Sequence, residues 1–275
     1  MNRPIAALLA CAIAMPALAQ DAAGDWDLHR DPRKKMVLAY TAFDVGLSVA
    51  FRCIDGSFNA VVAGLPPAAG DRRMLRLGFR DNEAYESMWT ATTDASVVVG
   101  DFPAPLAREF RQGGTLRVTV PGGAADGRNL RYDVELPASN GAIDETLMAC
   151  GRALVDPRDS ELRAIGETGL PAGLTWSRAP RPRFPEGGRY ASGFVVLTCI
   201  NNADGSLRDC LVEMEHPHDS RFGRATLDAV GRARIQLTDQ PDAPVPVRRV
   251  SFRTRYRPAD DLPIPAGDGR IRRPG

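Results

Sequence analysis

The side chains best suited to metal binding in this sequence are two histidines separated by one proline. His216 and His218 have a spacing that could offer two ligands to a zinc ion, with Glu215 or Asp219 as a third. The alternative is a polar loop between a strand and a helix, with Asp219 as the helix N-cap. His29 lies in a charged stretch and is expected to be solvated. We favour the loop and predict no metal site.

The common catalytic and nucleotide-binding motifs are absent from the sequence: it has no G-x-S-x-G, P-loop, G-x-G-x-x-G or H-E-x-x-H. Asp144 and Glu145 are adjacent carboxylates. They lie in the first turn of a predicted helix, where negative charges interact favourably with the helix dipole. Catalysis needs a base, an orienting group and a pocket, and no such set is evident. We therefore predict no catalytic residue, no cofactor and no enzyme. The alternatives are an exported hydrolase or metal-binding enzyme using His216 and His218, or a secreted inhibitor or structural envelope protein.

The first residues resemble an export signal. A short positive segment precedes an apolar run at residues 5–16, and Ala17-Leu18-Ala19 is a small-x-small cleavage site. Residues 1–19 are therefore predicted to be a signal peptide, with Gln20 as the first mature residue. The chain is expected to be exported, with the bacterial periplasm as the best match. No apolar stretch reaches the length of a membrane span, so we expect no integral span in the mature chain.

Cysteine usage agrees with export. The chain has five cysteines, and Cys11 would leave with the signal peptide. The other four, Cys53, Cys150, Cys199 and Cys210, are an even number, which indicates disulfides in an oxidising compartment. Four cysteines allow three pairings.

A predicted hairpin selects among these pairings. Asp204-Gly205 between two β-prone runs is a strong signal for a two-residue type I′ turn. If those two residues form the whole loop, counting outward places Cys199 directly opposite Cys210, about 5 Å apart at Cα. A longer loop would shift this register. We predict a Cys199–Cys210 disulfide and, by elimination, a Cys53–Cys150 disulfide, both structural.

The net charge excludes one broad class of partner. The sequence has 35 basic and 34 acidic residues, a formal net charge of +1. Nucleic-acid binding by charge needs a basic excess, so no nucleic-acid partner is expected. Hydrophobic residues at 44% and charged residues at 25% are ordinary for a globular protein.

The N-terminal half, residues 25–154, is predicted to be a mainly-β sandwich or barrel-like domain. Short β-prone runs separated by Gly, Pro and Asp clusters indicate seven strands. A short helix is predicted at 105–110, and a second runs from Ser139 or Asn140 to about Leu154, placing Cys150 on its buried side. The predicted strands are 35–42, 47–52, 58–62, 73–79, 96–99, 115–120 and 130–136.

A Gly- and Pro-rich segment separates this half from the rest of the chain. Residues 155–181 are predicted to be a linker with one short helix near 159–165, and residues 258–275 a disordered tail. Between them, residues 182–257 form a second small domain. The whole chain is therefore assigned to the α+β class.

The second domain resembles a known family through the order of its motifs. Arg183-Phe184-Pro185 leads into a strand opening with Gly193-Phe194-Val195. The Asp-Gly hairpin follows, then a helix carrying Phe222, Ala225 and Leu227, and a last strand at 247–256. This order resembles the C-terminal domain of the TonB energy-transducer family. The resemblance implies a hairpin, a helix and an edge strand, and a role in protein binding linked to transmembrane transport.

Two departures from the family pattern stand out. Residues 233–236 occupy the place of a Trp-Arg-Phe-like stretch, so an aromatic core residue is missing. The predicted cleavable leader and β domain also replace the family's membrane anchor and Pro-rich spacer. The resemblance therefore implies a fold and a binding mode, and the departures weigh against proton-motive-force coupling. Residues 25–154 bear a fainter resemblance to exported β modules of the VasI kind, found among type VI secretion accessory proteins, through Arg52-Cys53, Trp89 and Cys150.

The last strand is the predicted partner-binding site. Its residues alternate between a basic face, expected to meet solvent, and a face expected to pack on the helix. An edge strand can bind an extended peptide by backbone pairing, although arginines can also simply keep an exposed edge soluble. We predict a periplasmic, TonB-like binding protein. A peptide segment of an envelope or outer-membrane protein would pair with its last strand as an additional strand of the sheet. The predicted contact residues are Arg249, Val250, Ser251, Phe252, Arg253, Thr254, Arg255 and Tyr256.

Overall fold

The computed structural model describes residues 25–163, 165, 169–187 and 189–257. The predicted signal peptide and the predicted tail lie outside the described residues. One hydrophobic core is built from residues between Trp26 and Leu147, and a second from residues between Leu170 and Tyr256. In the described part of the chain, no helix is both long and apolar enough to cross a membrane.

The first core lies against a nine-stranded antiparallel sheet with strand order β1-β2-β3-β4-β7-β6-β5-β8-β9. Two helices pack with it, α1 (Pro103–Phe110) and α2 (Gly141–Ala149). The strands are β1 (Asp27–Asp31), β2 (Met36–Ala42), β3 (Ser48–Ile54), β4 (Ser57–Ala63), β5 (Arg72–Phe79), β6 (Tyr85–Ala91), β7 (Val98–Gly100), β8 (Gly114–Val120) and β9 (Leu130–Leu136).

The sheet curls around α1. The ring of Phe110 on α1 lies 5.3 Å from Phe51 on β3 and 5.0 Å from Phe79 on β5, although these strands are four positions apart in the sheet. At the far edge, Tyr132 on β9 donates a 3.4 Å hydrogen bond to the carbonyl of Gly64, just after β4. A flat sheet could not bring these groups together, so the antiparallel sheet of this unit is strongly curved.

All seven predicted strands of this unit are present, whereas β1 and β6 were not predicted. Helix α2 ends about five residues before its predicted end near Leu154. The helix stops because Gly151 adopts a left-handed φ of 63°. The amides of Gly151 and Arg152 then donate to the carbonyls of Met148 and Leu147, which is a Schellman C-cap.

The second core lies between α4 (Phe222–Val230) and a three-stranded sheet with strand order β12-β11-β14. Its strands are β11 (Gly193–Asn201), β12 (Leu207–His216) and β14 (Arg249–Tyr256). The hairpin, helix and final strand therefore occur in the predicted order, and β14 is at the sheet edge.

The segment predicted as a linker is partly ordered structure. It contains a short helix, α3 (Asp159–Leu162), and a strand, β10 (Leu174–Arg178), that pairs with β13 (Arg234–Leu237). Trp176 on β10 lies opposite Ile235 and packs edge-to-face on Phe252 at 5.9 Å. An aromatic side chain from β10 thus fills the core region where the sequence analysis found a missing aromatic residue.

The hairpin turn differs from the predicted two-residue loop. Asn202 and Ser206 are the closing pair, joined by a 2.8 Å bond from the Asn202 amide to the Ser206 carbonyl. Three residues lie between them, and only the last, Gly205, has a positive φ, at 76°. A type I′ turn would need positive φ at two central residues, so the longer loop is the one that forms.

Both predicted disulfides are present despite this longer loop. Asp209 has a φ of 49° at an irregularity in β12, and the strand register shifts there by one residue. The shift restores the facing position of Cys199 and Cys210, whose Cα atoms lie 4.1 Å apart. Cys53 on β3 bonds Cys150 just after α2, with a Cα separation of 5.5 Å. Two intact disulfides are typical of an oxidising compartment.

The Gly205 position provides a test of the turn. A Cβ there would collide with the backbone carbonyl of Ile235, and the left-handed φ would strain any L side chain. Gly205→Ala is expected to lower the free energy of unfolding by more than about 1 kcal/mol. Gly231→Ala is the matched control, because Gly231 has a helical φ of −56° and open space around its Cα. The control should raise stability by about 0.4–1 kcal/mol in urea titrations, and equal losses in both variants would contradict the turn geometry.

Candidate functional site

One face of the last strand packs as predicted. Val250, Phe252 and Tyr256 are buried in the second core. The ring of Tyr256 stacks on Phe222 of α4, with centroids 4.2 Å apart. The Tyr256 hydroxyl also lies 2.8 Å from the Thr226 hydroxyl, so this face is fixed to the helix by packing and by a hydrogen bond.

The opposite face meets solvent mainly at Arg255, whose side chain is 45% exposed, so the expectation of a solvent-facing basic face was wrong for Arg249 and Arg253. Its arginines pair with carboxylates from earlier parts of the chain: Arg249 with Asp156 at 2.9 Å, Arg253 with Asp101, and Arg255 with Asp71. The side chains of Arg249 and Arg253 are only 12% and 18% exposed. Alternation identified the basic face, but the second sheet buries part of it against the first unit.

The two units meet through an apolar cluster and a polar contact. Phe194, Val196 and Met214 of the second sheet pack with Val99 on β7 and with Phe102 before α1. Beside this cluster, Arg152 donates a 2.6 Å hydrogen bond to the carbonyl of Val212 on β12 and lies 3.8 Å from the buried Glu213 carboxylate.

The outer edge of β14 is covered along its first half. Ser251 donates its amide to the carbonyl of Gly169 at 2.7 Å, and the Arg249 amide donates to Glu161 of α3 at 2.7 Å. Because backbone direction alternates along a strand, the amides of Arg253 and Arg255 point to the same outer side. The described residues supply no backbone partner for these two amides.

A cleft of about 1520 Å³ opens beside this second half of the edge and lies between the two units. Its apolar lining comes from both sheets, with Met74 and Met88 from the first and Phe194 and Val196 from the second. The charged groups of its lining near β14 are Asp71, Arg72, Asp101, Arg253 and Arg255.

A second polar cluster lines the same cleft near α1. Tyr85 donates a 2.5 Å hydrogen bond to one oxygen of Glu109, and Arg163 donates a 2.7 Å bond to the other. Burial, together with Glu109, raises the pKa of Tyr85 well above its usual range. Burial also raises the pKa of Glu109, and this effect outweighs the hydrogen bond from Tyr85, which lowers that pKa. Both carboxylate oxygens are engaged, so the cluster connects β6 and the residue after α3 to Glu109 of α1.

The His-Pro-His segment is not assembled with a third ligand. His216 lies against the Phe194 ring at 5.3 Å, and burial, followed by the positive charge of Arg52, lowers its pKa. Glu215 accepts a hydrogen bond from Ser220, and Asp219 pairs with Arg189. Among the described residues, no group of three or more His, Cys, Asp or Glu side chains is placed to hold a metal ion. Asp219 has a φ of 61° and makes no cap hydrogen bond to α4, whose N-cap residue is Arg221.

Comparison with known proteins gives only weak resemblance, and only to solved structures. No protein-family model and no curated protein matches the sequence. Among solved structures, the chain is similar to the C-terminal domain of TonB from Pseudomonas aeruginosa, determined by NMR, at 20% identity and a TM-score of 0.27. The similarity covers 31% of this chain and 87% of that domain. At this TM-score, the similarity carries no weight for the function of this chain.

None of the cleft-lining residues of the first unit was among the predicted site residues. Arg72, Met74, Met88 and Thr90 lie on one face of β5 and β6, where Arg72 pairs with Thr90 and Met74 with Met88. The alternation of β5 could have shown that these side chains share a face. Nothing local in the sequence indicates that this face meets β14.

Proposed function

We propose that this protein is a binding protein, not a catalyst, and that it holds an extended peptide segment of another cell-envelope protein against β14. The observation that carries the proposal is the outer edge of β14 at Arg253 and Arg255, which opens onto the cleft between the two sheets. An exposed strand edge pairs readily with an extended segment, because its amides and carbonyls need partners.

A backbone carbonyl of the chain already pairs with this edge. The Gly169 carbonyl accepts the amide of Ser251, so one outward amide in the first half of β14 has a main-chain partner. A bound peptide would continue this pairing toward Arg255. The cleft supplies the apolar surface that such a segment needs for its alternate side chains.

The two disulfides support an exported protein, and together with the sequence signals they favour the bacterial periplasm as the compartment. The partner is then a protein of the cell envelope or outer membrane. No nucleic acid, cofactor or metal enters this proposal.

Proline substitution on the open edge tests the proposal. The probe is a peptide of about ten residues, roughly the length of a strand, selected from a phage-displayed random library on the wild-type protein. Arg255→Pro removes the outward amide without removing a bond of the ladder. It should weaken binding at least about tenfold, measured by fluorescence anisotropy, because one pairing bond is lost and the proline ring obstructs the edge.

Arg255→Ala is the matched control, since it removes the guanidinium but keeps the amide. It should retain most of the binding. Hydrogen exchange adds a second readout: the amides of Arg253 and Arg255 should become protected when peptide binds, whereas that of Thr254, which faces β11, should already be protected. Unchanged binding by Arg255→Pro, with no protection at Arg253 and Arg255, would reject strand addition.

A further inference from the structure

The positive charges around the open end of β14 outnumber the nearby carboxylates. Four arginines lie there, Arg72, Arg253, Arg255 and Arg257, with the two carboxylates of Asp71 and Asp101. Four positive and two negative charges leave an excess of two positive charges. The other carboxylates of the cleft, Glu86, Glu109 and Asp159, each have an arginine of their own at Arg76, Arg163 and Arg108.

Arg253 is only partly satisfied. Its Nη2 contacts Oδ1 of Asp101, whereas its buried Nε has no hydrogen-bond partner among the described residues. Its burial, followed by the nearby charge of Arg72, lowers its pKa. An arginine nonetheless keeps its proton in proteins, so two guanidinium groups repel each other inside a partly buried cleft.

A second unsatisfied group belongs to another residue that lines this cleft. Thr90 lies opposite Arg72 in the β5–β6 ladder, and its hydroxyl is also buried without a hydrogen-bond partner among the described residues. Buried polar atoms without partners are rare in folded proteins, and two of them on residues that line one cleft indicate a place for a polar group of a ligand.

We propose that Arg72 and Arg253, one from each sheet, bind a carboxylate of the peptide, namely the side chain of an acidic residue that follows the stretch paired with β14. This inference rests on the proposed function for the identity of the ligand. The arginine fork suits a carboxylate because it offers planar, paired donors. Thr90 donates its hydroxyl to the same group, and Met74 and Met88 provide an adaptable apolar surface for the neighbouring side chain.

Two labelled peptides test the inference. Both have about ten residues of alternating Thr and Val. One carries a central Glu and the other a central Gln, and both are amidated at the C-terminus so that the side chain is the only variable carboxylate. The Glu peptide should bind about tenfold more tightly to the wild type, the ratio expected for charge-assisted hydrogen bonds. Arg72→Ala should bring the two affinities together.

Arg117→Ala is the matched control, because Arg117 lies on the neighbouring strand β8, neither Arg117 nor its partner Asp133 lines the cleft, and Asp133 keeps Arg131 as a second partner. It should keep the full preference for Glu. A third peptide, with a central Gln and a free C-terminus, shows whether the site binds a terminal carboxylate instead of a side-chain carboxylate. Tighter binding of this peptide than of the amidated Glu peptide would overturn the side-chain assignment.

A small probe keeps the inference testable if strand addition fails. N-acetyl-glutamate N-methylamide is titrated at constant ionic strength while the Nε–H signal of Arg253 is followed by NMR, with the corresponding glutamine compound as control. We expect a saturable shift with the glutamate compound that is lost in Arg72→Ala. Equal responses to both compounds, or a response unchanged by Arg72→Ala, would overturn the carboxylate site. A glutamate-specific shift without peptide binding would instead reject only the strand addition.

Discussion

Removing the Cys53–Cys150 disulfide by a Cys53→Ala, Cys150→Ala double substitution is expected to lower the free energy of unfolding by about 5 kcal/mol. The bond joins β3 to the end of α2 and closes a segment with a sequence separation of 97 residues. In the chain-entropy account, the stabilisation rises with the length of the closed loop, because a longer loop has more freedom to lose in the unfolded state.

The second disulfide is the matched comparison. Cys199 and Cys210 are separated by 11 residues, for which the same account gives about 3 kcal/mol. Packing losses largely cancel between the two pairs, since Cys53 and Cys199 are each almost fully buried and their partners only partly so. Urea titrations of both double variants give the two losses directly. A larger loss from the short loop than from the long one would contradict the loop-entropy explanation.

Much of the fold was predictable because its signals are local. Alternating residues indicated seven strands of the first sheet, and the Asp-Gly pair marked the hairpin. The same pair misled on loop length, since Gly205 suits the last position of a three-residue loop as well as the second position of a type I′ turn. The Cys199–Cys210 disulfide was nevertheless predicted correctly, because the irregularity at Asp209 shifts the strand register by one residue and offsets the longer loop.

The parts that were missed depend on distant residues. Leu174–Arg178 lies in a Gly- and Pro-rich stretch and becomes a strand through pairing with Arg234–Leu237, about sixty residues away in the chain. The basic face of β14 was correctly identified from alternation. Its pairing with Asp71 and Asp101 joins residues about 150 to 180 positions apart, and no periodicity encodes such a contact.

The buried ion pair between the two units should be as important for stability as the long disulfide loop. Glu213 on β12 has a side chain only 4% exposed, accepts a 2.6 Å hydrogen bond from Thr198, and lies near the guanidinium of Arg152, which is 9% exposed. Arg152→Ala is expected to lower the free energy of unfolding by about 3–5 kcal/mol, because it leaves an uncompensated charge in a buried position. It also removes the donor to the Val212 carbonyl.

A double-mutant cycle separates the buried charge from the lost packing. In the Arg152→Ala background, Glu213→Gln removes the negative charge but can still accept from Thr198, so it should recover part of the lost stability. Arg224→Ala is the control for a solvent-exposed pair, since Arg224 and Asp228 are 79% and 59% exposed, and it should leave stability near that of the wild type. If Glu213→Gln adds to the loss instead of relieving it, the cost of Arg152→Ala comes from the missing contacts with β12 and not from the buried carboxylate.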